Sequence, residues 1–240
     1  MIDEAHGHIY ITGGPGTNTI VVTNLDGAVV KTLPGNGPVG MALSADGTKL
    51  YVAFSDTDDI AIVDTATYTM SSIWVGTSTG DYTCPHDVAL AAGQLWFSWG
   101  CQSDYRKGLG RANPSTRSFS LYQTDIRINS ALLLAATPAQ PNALFAAETE
   151  SNPAAVYRFQ VTPTIAYTRA VGTTGGGSAR QLAVTPDGSQ VIIPSGAPYN
   201  HQVFRASDMT VVSSYPTTAY PNAAAIRPDG VVAAGPGASL

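Results

Sequence analysis

Three short stretches of the chain share one turn, and their repetition constrains the fold more than any other feature. Leu43-Ser-Ala-Asp-Gly-Thr-Lys-Leu-Tyr-Val52, Val184-Thr-Pro-Asp-Gly-Ser-Gln-Val-Ile-Ile193 and Ile226-Arg-Pro-Asp-Gly-Val-Val-Ala233 each join two apolar segments through Asp-Gly. That pattern reads as a β-hairpin, because Asp and Gly both tolerate the left-handed backbone a tight turn needs. Weaker turns stand at Ala92-Gly93 and Gln140-Pro-Asn142, and an Ala5-His-Gly7 turn precedes the apolar run His8–Thr12. The turn landmarks near residues 7, 47, 93, 142, 188 and 230 are 40 to 49 residues apart. This is the period of a four-stranded propeller blade.

Residues 38–76 spell out one whole unit. The expected strands are Gly40–Ser44, Lys49–Phe54, Asp59–Asp64 and Ser71–Val75, closed by Gly76. No segment sustains the i, i+3, i+4, i+7 apolar spacing of a helix, and 24 Gly with 16 Pro cut the 240 residues into short pieces. A β-sandwich does not explain a recurring period above ~40 residues. The expectation is one all-β domain over residues 1–240, a β-propeller of four-stranded antiparallel blades with about five to six blades present.

Charge narrows the function classes. The three Lys and nine Arg are scattered singly and the net charge is −5, so no basic stripe exists to meet nucleic acid. No apolar run approaches the ~20 residues that span a bilayer, which argues against membrane insertion.

The stretch GMALSADGTKLYVAFSDTDDIAIVDTATYTMSSIWVGT resembles a YVTN-type repeat of the WD40-like β-propeller superfamily. The likeness is high over residues 38–78, clear over 179–216 and partial over 84–124 and 130–173. The order ending VTPDGSQVIIPSGAPYNHQVF…YPTTAYPNAAAIRPDGVVAAG is similar to the propeller region of large secreted actinobacterial proteins. The Gly-His and Trp-Asp marks of WD40 blades are absent. By strand count, the first blade begins at its second strand, Ala223–Arg227 supplies a first strand, and Val231–Ala234 is an extra second strand. The expectation is a longer propeller cut within its sixth repeat, incomplete or imperfectly closed. A five-bladed ring closed by pairing Ala223–Arg227 with Ile9–Ile11 is the competitor.

The start, Met-Ile-Asp-Glu-Ala-His, has neither the basic nor the apolar region of a signal peptide, as an excised or truncated domain would also lack. Low Lys, abundant Thr, Ser, Asn and Gly, and two cysteines lean towards a secreted or cell-surface protein. If Ala92-Gly93 is a two-residue turn, residues whose numbers sum to 185 lie opposite each other, and Cys84 with Cys101 is such a pair. Their position is non-hydrogen-bonded, where side chains come closest, so a disulfide is expected, with two free thiols as the alternative.

The resemblance implies that loops joining strands two and three gather on one face with the blade-to-blade connections. That face carries Asp58, Cys84–His86, Tyr105, Arg106, Glu148, Glu150, Tyr199, Asn200 and His201, with Arg180 near the channel mouth. Loops on a rigid scaffold are where binding sits. His86, His201 and Arg180 read either as an anionic-ligand or catalytic site, resembling streptogramin-lyase-type propellers, or as groups that bond neighbouring blades. Glu148 and Glu150 read as an acid pair or as solvated loop acids. His6 and His8 lack the further ligands a structural zinc needs. Asp56, Asp58 and Asp59 lack the spacing of a calcium loop. No metal and no cofactor is expected. The Gly-rich runs at 13–16 and 172–177 lack a phosphate-loop ending, and no nucleophile elbow is present. Trp96 and Phe97 are expected on opposite sheet faces, and Trp99 either in the core or as a stacking platform.

The reading is an extracellular binding propeller that recognises a glycan, peptide or protein through residues such as Asp58, His86, Tyr105, Arg106, Tyr199, Asn200 and His201. The alternative is a channel-mouth lyase or hydrolase using His86 or His201, with Glu148, Glu150 and Arg180 as further candidates. Enzymatic activity is left open, leaning against.

Overall fold

The computed structural model describes residues 1–77, 82–101, 106–122, 126–164, 166–196, 199–217, 221–226 and 232–236. Blade 1 comprises β1 (Ile2–Asp3), β2 (His8–Thr12), β3 (Thr19–Asn24) and β4 (Val29–Pro34); blade 2 comprises β5 (Pro38–Leu43), β6 (Lys49–Phe54), β7 (Asp59–Asp64) and β8 (Met70–Trp74). Blade 3 runs through β9 (Asp87–Ala91), β10 (Gln94–Trp99), β11 (Gly108–Asn113) and β12 (Ser118–Tyr122). Blade 4 holds β13 (Leu132–Ala135), β14 (Ala143–Glu148), β15 (Ala155–Val161) and β16 (Ala166–Thr173). Blade 5 holds β17 (Ala183–Val184), β18 (Gln190–Ser195), β19 (Asn200–Arg205) and β20 (Val211–Pro216), and β21 (Pro221–Ile226) with β22 (Val232–Pro236) forms a two-stranded sheet. In each blade the strands pair in chain order, antiparallel, so this is an all-β propeller of five four-stranded blades. First strands of neighbouring blades meet around the axis, with β5 against β9 and β9 against β13.

One strand-count expectation changes, and the other holds. Blade 1 has its own first strand, since Ile2 and Asp3 pair with Ile9 and His8. The Gly7 turn, at φ 68°, lets those few residues fold back. The sixth-repeat hairpin is present: β21 pairs with β22, and both edges of β2 are already taken by β1 and β3, so β21 does not close a ring on Ile9–Ile11 as the five-bladed competitor required.

Period-two alternation sends successive side chains into successive gaps between blades. Tyr10, Ile20 and Val22 of blade 1 meet Leu50 and Val52 of blade 2. Ile60 and Ile73 meet Phe97, and Trp96 on the opposite face meets Leu144 and Phe159 of blade 4. Phe145 and Val156 meet Ile193 and Phe204 of blade 5, and Ile192 with Val203 covers Ala224 of the last sheet. Each fully buried large side chain contributes about 1.5–3 kcal/mol of transfer free energy. Gly110 stands opposite Phe97, whose ring lies 2.1 Å from where a Cβ would be, so a side chain there would displace the aromatic. Trp99 is buried, its indole N–H donating to the Leu109 carbonyl at 3.1 Å, and is therefore core rather than platform.

Candidate functional site at the loop face

Loops between second and third strands share one face with the blade-to-blade connections, and backbone bonds tie the two sets together. Ser55 N–H donates to Gly37 O (2.9 Å), Gly100 to Thr83 O (2.7 Å), Thr149 to Ala131 O (3.0 Å) and Gly196 to Ser178 O (3.2 Å). The Cys84–Cys101 disulfide adds a covalent link on this face, with Cα atoms 5.1 Å apart. The sum-to-185 register holds from Gln94/Ala91 to Ser98/Asp87. There the ladder ends, because the Asp87 N–H donates to Ser98 Oγ (3.0 Å) and the His86 N–H to Ser98 O (3.0 Å). The cysteines therefore bridge loops just beyond the hairpin rather than a ladder pair.

Four of the candidates are engaged in holding the fold. Glu148 is buried, and its Oε1 accepts from Asn129 N–H (2.8 Å) and from Tyr157 OH (2.9 Å). Burial and that carboxylate push the Tyr157 phenol well above its ordinary range. His201 lies inside β19, buried, with Nε2 3.2 Å from Ala223 O on the next sheet. Asp58 Oδ1 accepts from Thr83 N–H (2.7 Å), Thr83 Oγ1 (3.1 Å) and Cys84 N–H (3.2 Å), orienting the disulfide loop. Asn200 Oδ1 accepts from Ser195 Oγ at 2.9 Å, closing the mouth of its own hairpin. Glu148 is thus buried rather than solvated, and it does not share the environment of exposed Glu150.

Three of the remaining groups, His86, Glu150 and Arg180, stand where blades 3, 4 and 5 meet. Desolvation lowers the pKa of His86, opposed by the Leu132 carbonyl and by the charge of Glu150 from blade 4. Its Nδ1 is buried with no hydrogen-bond partner among the described residues. The Glu150 N–H donates to Ser130 Oγ at 3.2 Å. Ala179 of blade 5 donates to Glu148 O (3.3 Å), which brings Arg180 to the same junction, exposed and with no side-chain partner among the described residues. Next to His86, Asp87 faces the axis: Oδ2 accepts from Leu134 N–H of blade 4 and Oδ1 from Val88 N–H, both at 2.8 Å. Burial pushes this carboxyl up to about 7. Its neighbour across the blade boundary is Gly40, whose Cβ would fall 1.8 Å from Oδ1.

Arg106 is exposed and Tyr199 half-buried at φ 59°. Tyr105 lies outside the described residues. His6 and His8 are on the opposite face, where His6 Nδ1 meets Asp3 Oδ2 at 2.8 Å and His8 meets the Tyr68 hydroxyl at 3.2 Å. Among the described residues no three His, Cys, Asp or Glu side chains come together as a metal set. Sequence reasoning missed Asp87 as a titratable group. Its only signal was an acid opening an apolar first strand.

No family model and no curated protein matches the chain. Solved structures do. Hydrazine synthase from Kuenenia stuttgartiensis superposes with a TM-score of 0.76 at 15% identity, over 99% of this chain and 82% of that one. A functionally unknown protein from Desulfotomaculum acetoxidans gives 0.71 at 15% identity, over 95% and 72%. The Dos1 propeller gives 0.68 at 16% identity, over 97% and 63%. At such identities the likeness establishes the propeller fold alone, and that fold hosts many unrelated activities.

Proposed function

We propose that this chain is an extracellular recognition propeller of YVTN type, which takes a glycan, peptide or protein partner through its loop face. The observation that carries this reading is the junction of blades 3, 4 and 5. There an imidazole with an orphaned nitrogen, an exposed carboxylate and an exposed guanidinium come from three different blades. Rigid β-scaffolds position such groups without the entropy cost of ordering them on binding. Glu148, His201 and Asp58 are already used internally, which leaves few groups for bond-making chemistry. The disulfide supports an oxidising compartment.

A channel-mouth acid/base enzyme is the second reading, favoured by one observation. His86 and Asp87 are adjacent and both are displaced towards neutrality, as groups at catalytic sites often are. An array of immobilised glycans and peptides, probed with the whole chain, separates the two. Recognition predicts retained ligands that are lost in Arg180→Glu and Glu150→Arg yet kept in Asp26→Lys on the opposite face. Consumption of a retained ligand, abolished in a folded His86→Ala variant, would transfer the assignment to the enzyme.

A further inference from the structure

We propose that the blade 2 edge of the loop face is a subsite for an arginine side chain of a peptide or protein partner. It rests on the recognition reading above and gives the partner a chemistry. Trp74 ends β8 and is 55% exposed, whereas Trp96 and Trp99 are buried. Its ring lies against Gly76, 2.5 Å from where a Cβ would stand, and Asp58 Oδ2 approaches the same bare position at 2.9 Å. An indole and a carboxylate oxygen are thus held side by side over one glycine. In the β7–β8 register Trp74 is the direct partner of Asp59. Among the described residues, the Asp59 carboxylate, the second oxygen of Asp58 and the Trp74 indole N–H have no hydrogen-bond partner. Tyr82, 69% exposed, precedes Thr83, which Asp58 holds.

The ring fixes the ligand class. A planar guanidinium stacks on an indole face and directs its edge N–H groups at carboxylates, a combination an ammonium does not match. Trp gives the strongest cation–π attraction of the aromatic residues, and two carboxylates beside it add charge complementarity. The position is also prepared in advance. Asp58 is anchored through Oδ1 to Thr83 and Cys84, so its Oδ2 does not have to be ordered when a ligand arrives.

The test is a titration of the whole chain with N-acetyl-arginine amide, followed through the Trp74 indole N–H signal in proton–nitrogen correlation spectra. The signals of Trp96 and Trp99 report that the fold is intact. The expected result is saturable movement of the Trp74 signal, weakened at least three-fold in Asp59→Asn and by high salt. Peptide-array spots containing arginine should lose retention in Trp74→Leu. Equal binding of N-acetyl-citrulline amide, the neutral isostere, would overturn the proposal, as would movement with maltotriose in place of the cation. Array ligands that need Arg180 but not Trp74 would overturn this subsite and leave recognition standing. Ligands indifferent to every loop-face variant would overturn recognition itself.

Discussion

The two faces of the propeller treat their acidic groups in opposite ways. On the face of the strand one-to-two and three-to-four turns, Asp46 accepts from Ser44 Oγ (2.6 Å), Thr48 Oγ1 (2.9 Å) and Thr48 N–H (3.1 Å). Asp187 repeats this with Thr185 and Ser189, and both carboxyls are drawn down to about 2 by these donors. On the channel side of the loop face, Asp87 has two backbone donors as well, yet burial dominates and raises it to about 7. Donor count therefore does not decide the charge state; exposure to water does. Turn acids are charged, local and spent on closing hairpins. Axis and loop-face groups are held partly desolvated by residues from other blades, and a ligand has something to gain by satisfying them.

The comparison breaks most visibly at the disulfide. Cys84→Ser with Cys101→Ser is expected to lower stability by about 3 kcal/mol, because the bridge closes a loop with a sequence separation of 17. Denaturant unfolding measures it. A loss below about 1 kcal/mol would mean that the Asp58 contacts alone hold the loop face.

The next effect is pH-dependent. Asp87 is neutral in the fold up to about 7 but titrates near 3.8 when unfolded, so the native state retains its proton through that window. Its contribution is fully present below 3.8 and lost as pH rises to about 7. Because Asp87 keeps some accessible surface, roughly 2 kcal/mol is expected rather than the full value of the shift. Asp87→Asn should unfold later than the parent at pH 8 and remove this slope. The turn acids behave in reverse, stabilising above 3.8 and ceasing to do so as pH falls towards 2. His86, lowered by burial, likewise withdraws stability as pH falls below 6.5. An Asp87→Asn variant with an unchanged pH profile would remove the contrast between the faces.

The smallest expected effect is at Gly47, with Gly40 as its contrast. Gly47 sits at φ 70° and the nearest side-chain atom to an added Cβ would be 3.8 Å away, so Gly47→Ala should cost only backbone strain, about 1 kcal/mol. Gly40 has no such φ, and its alanine variant would instead collide with Asp87 and abolish the pH slope just described. A calorimetric melt at pH 5 and pH 8 distinguishes the two. Turn-face substitution should shift both melts equally.

The turn face was almost entirely legible. Lys49–Phe54 and Asp59–Asp64 are strands at the expected bounds, and Ser71–Val75 is displaced by one residue. The Cys84–Cys101 pairing followed from counting outward from Ala92-Gly93, although the ladder stops short of both cysteines. The β1 strand was not legible, because two residues carry no alternation to read. Nor was Trp74. A strand aromatic looks the same in sequence whether its ring is covered, as with Trp96 of β10, or more than half exposed beside a carboxylate, as with Trp74 of β8.

Turn chemistry, strand alternation and the blade period are determined by residues a few positions apart, whose backbone preferences and hydrogen bonds do not depend on the rest of the chain. Those the sequence determined by itself. The state of Glu148, Asp87 and His86 was decided only in the tertiary structure. Asp87 meets the Leu134 N–H 47 residues away, and the water that would have kept it charged is excluded by neighbouring blades. Desolvation is a property of the surroundings, and the surroundings of an axial residue come from blades its own repeat does not encode.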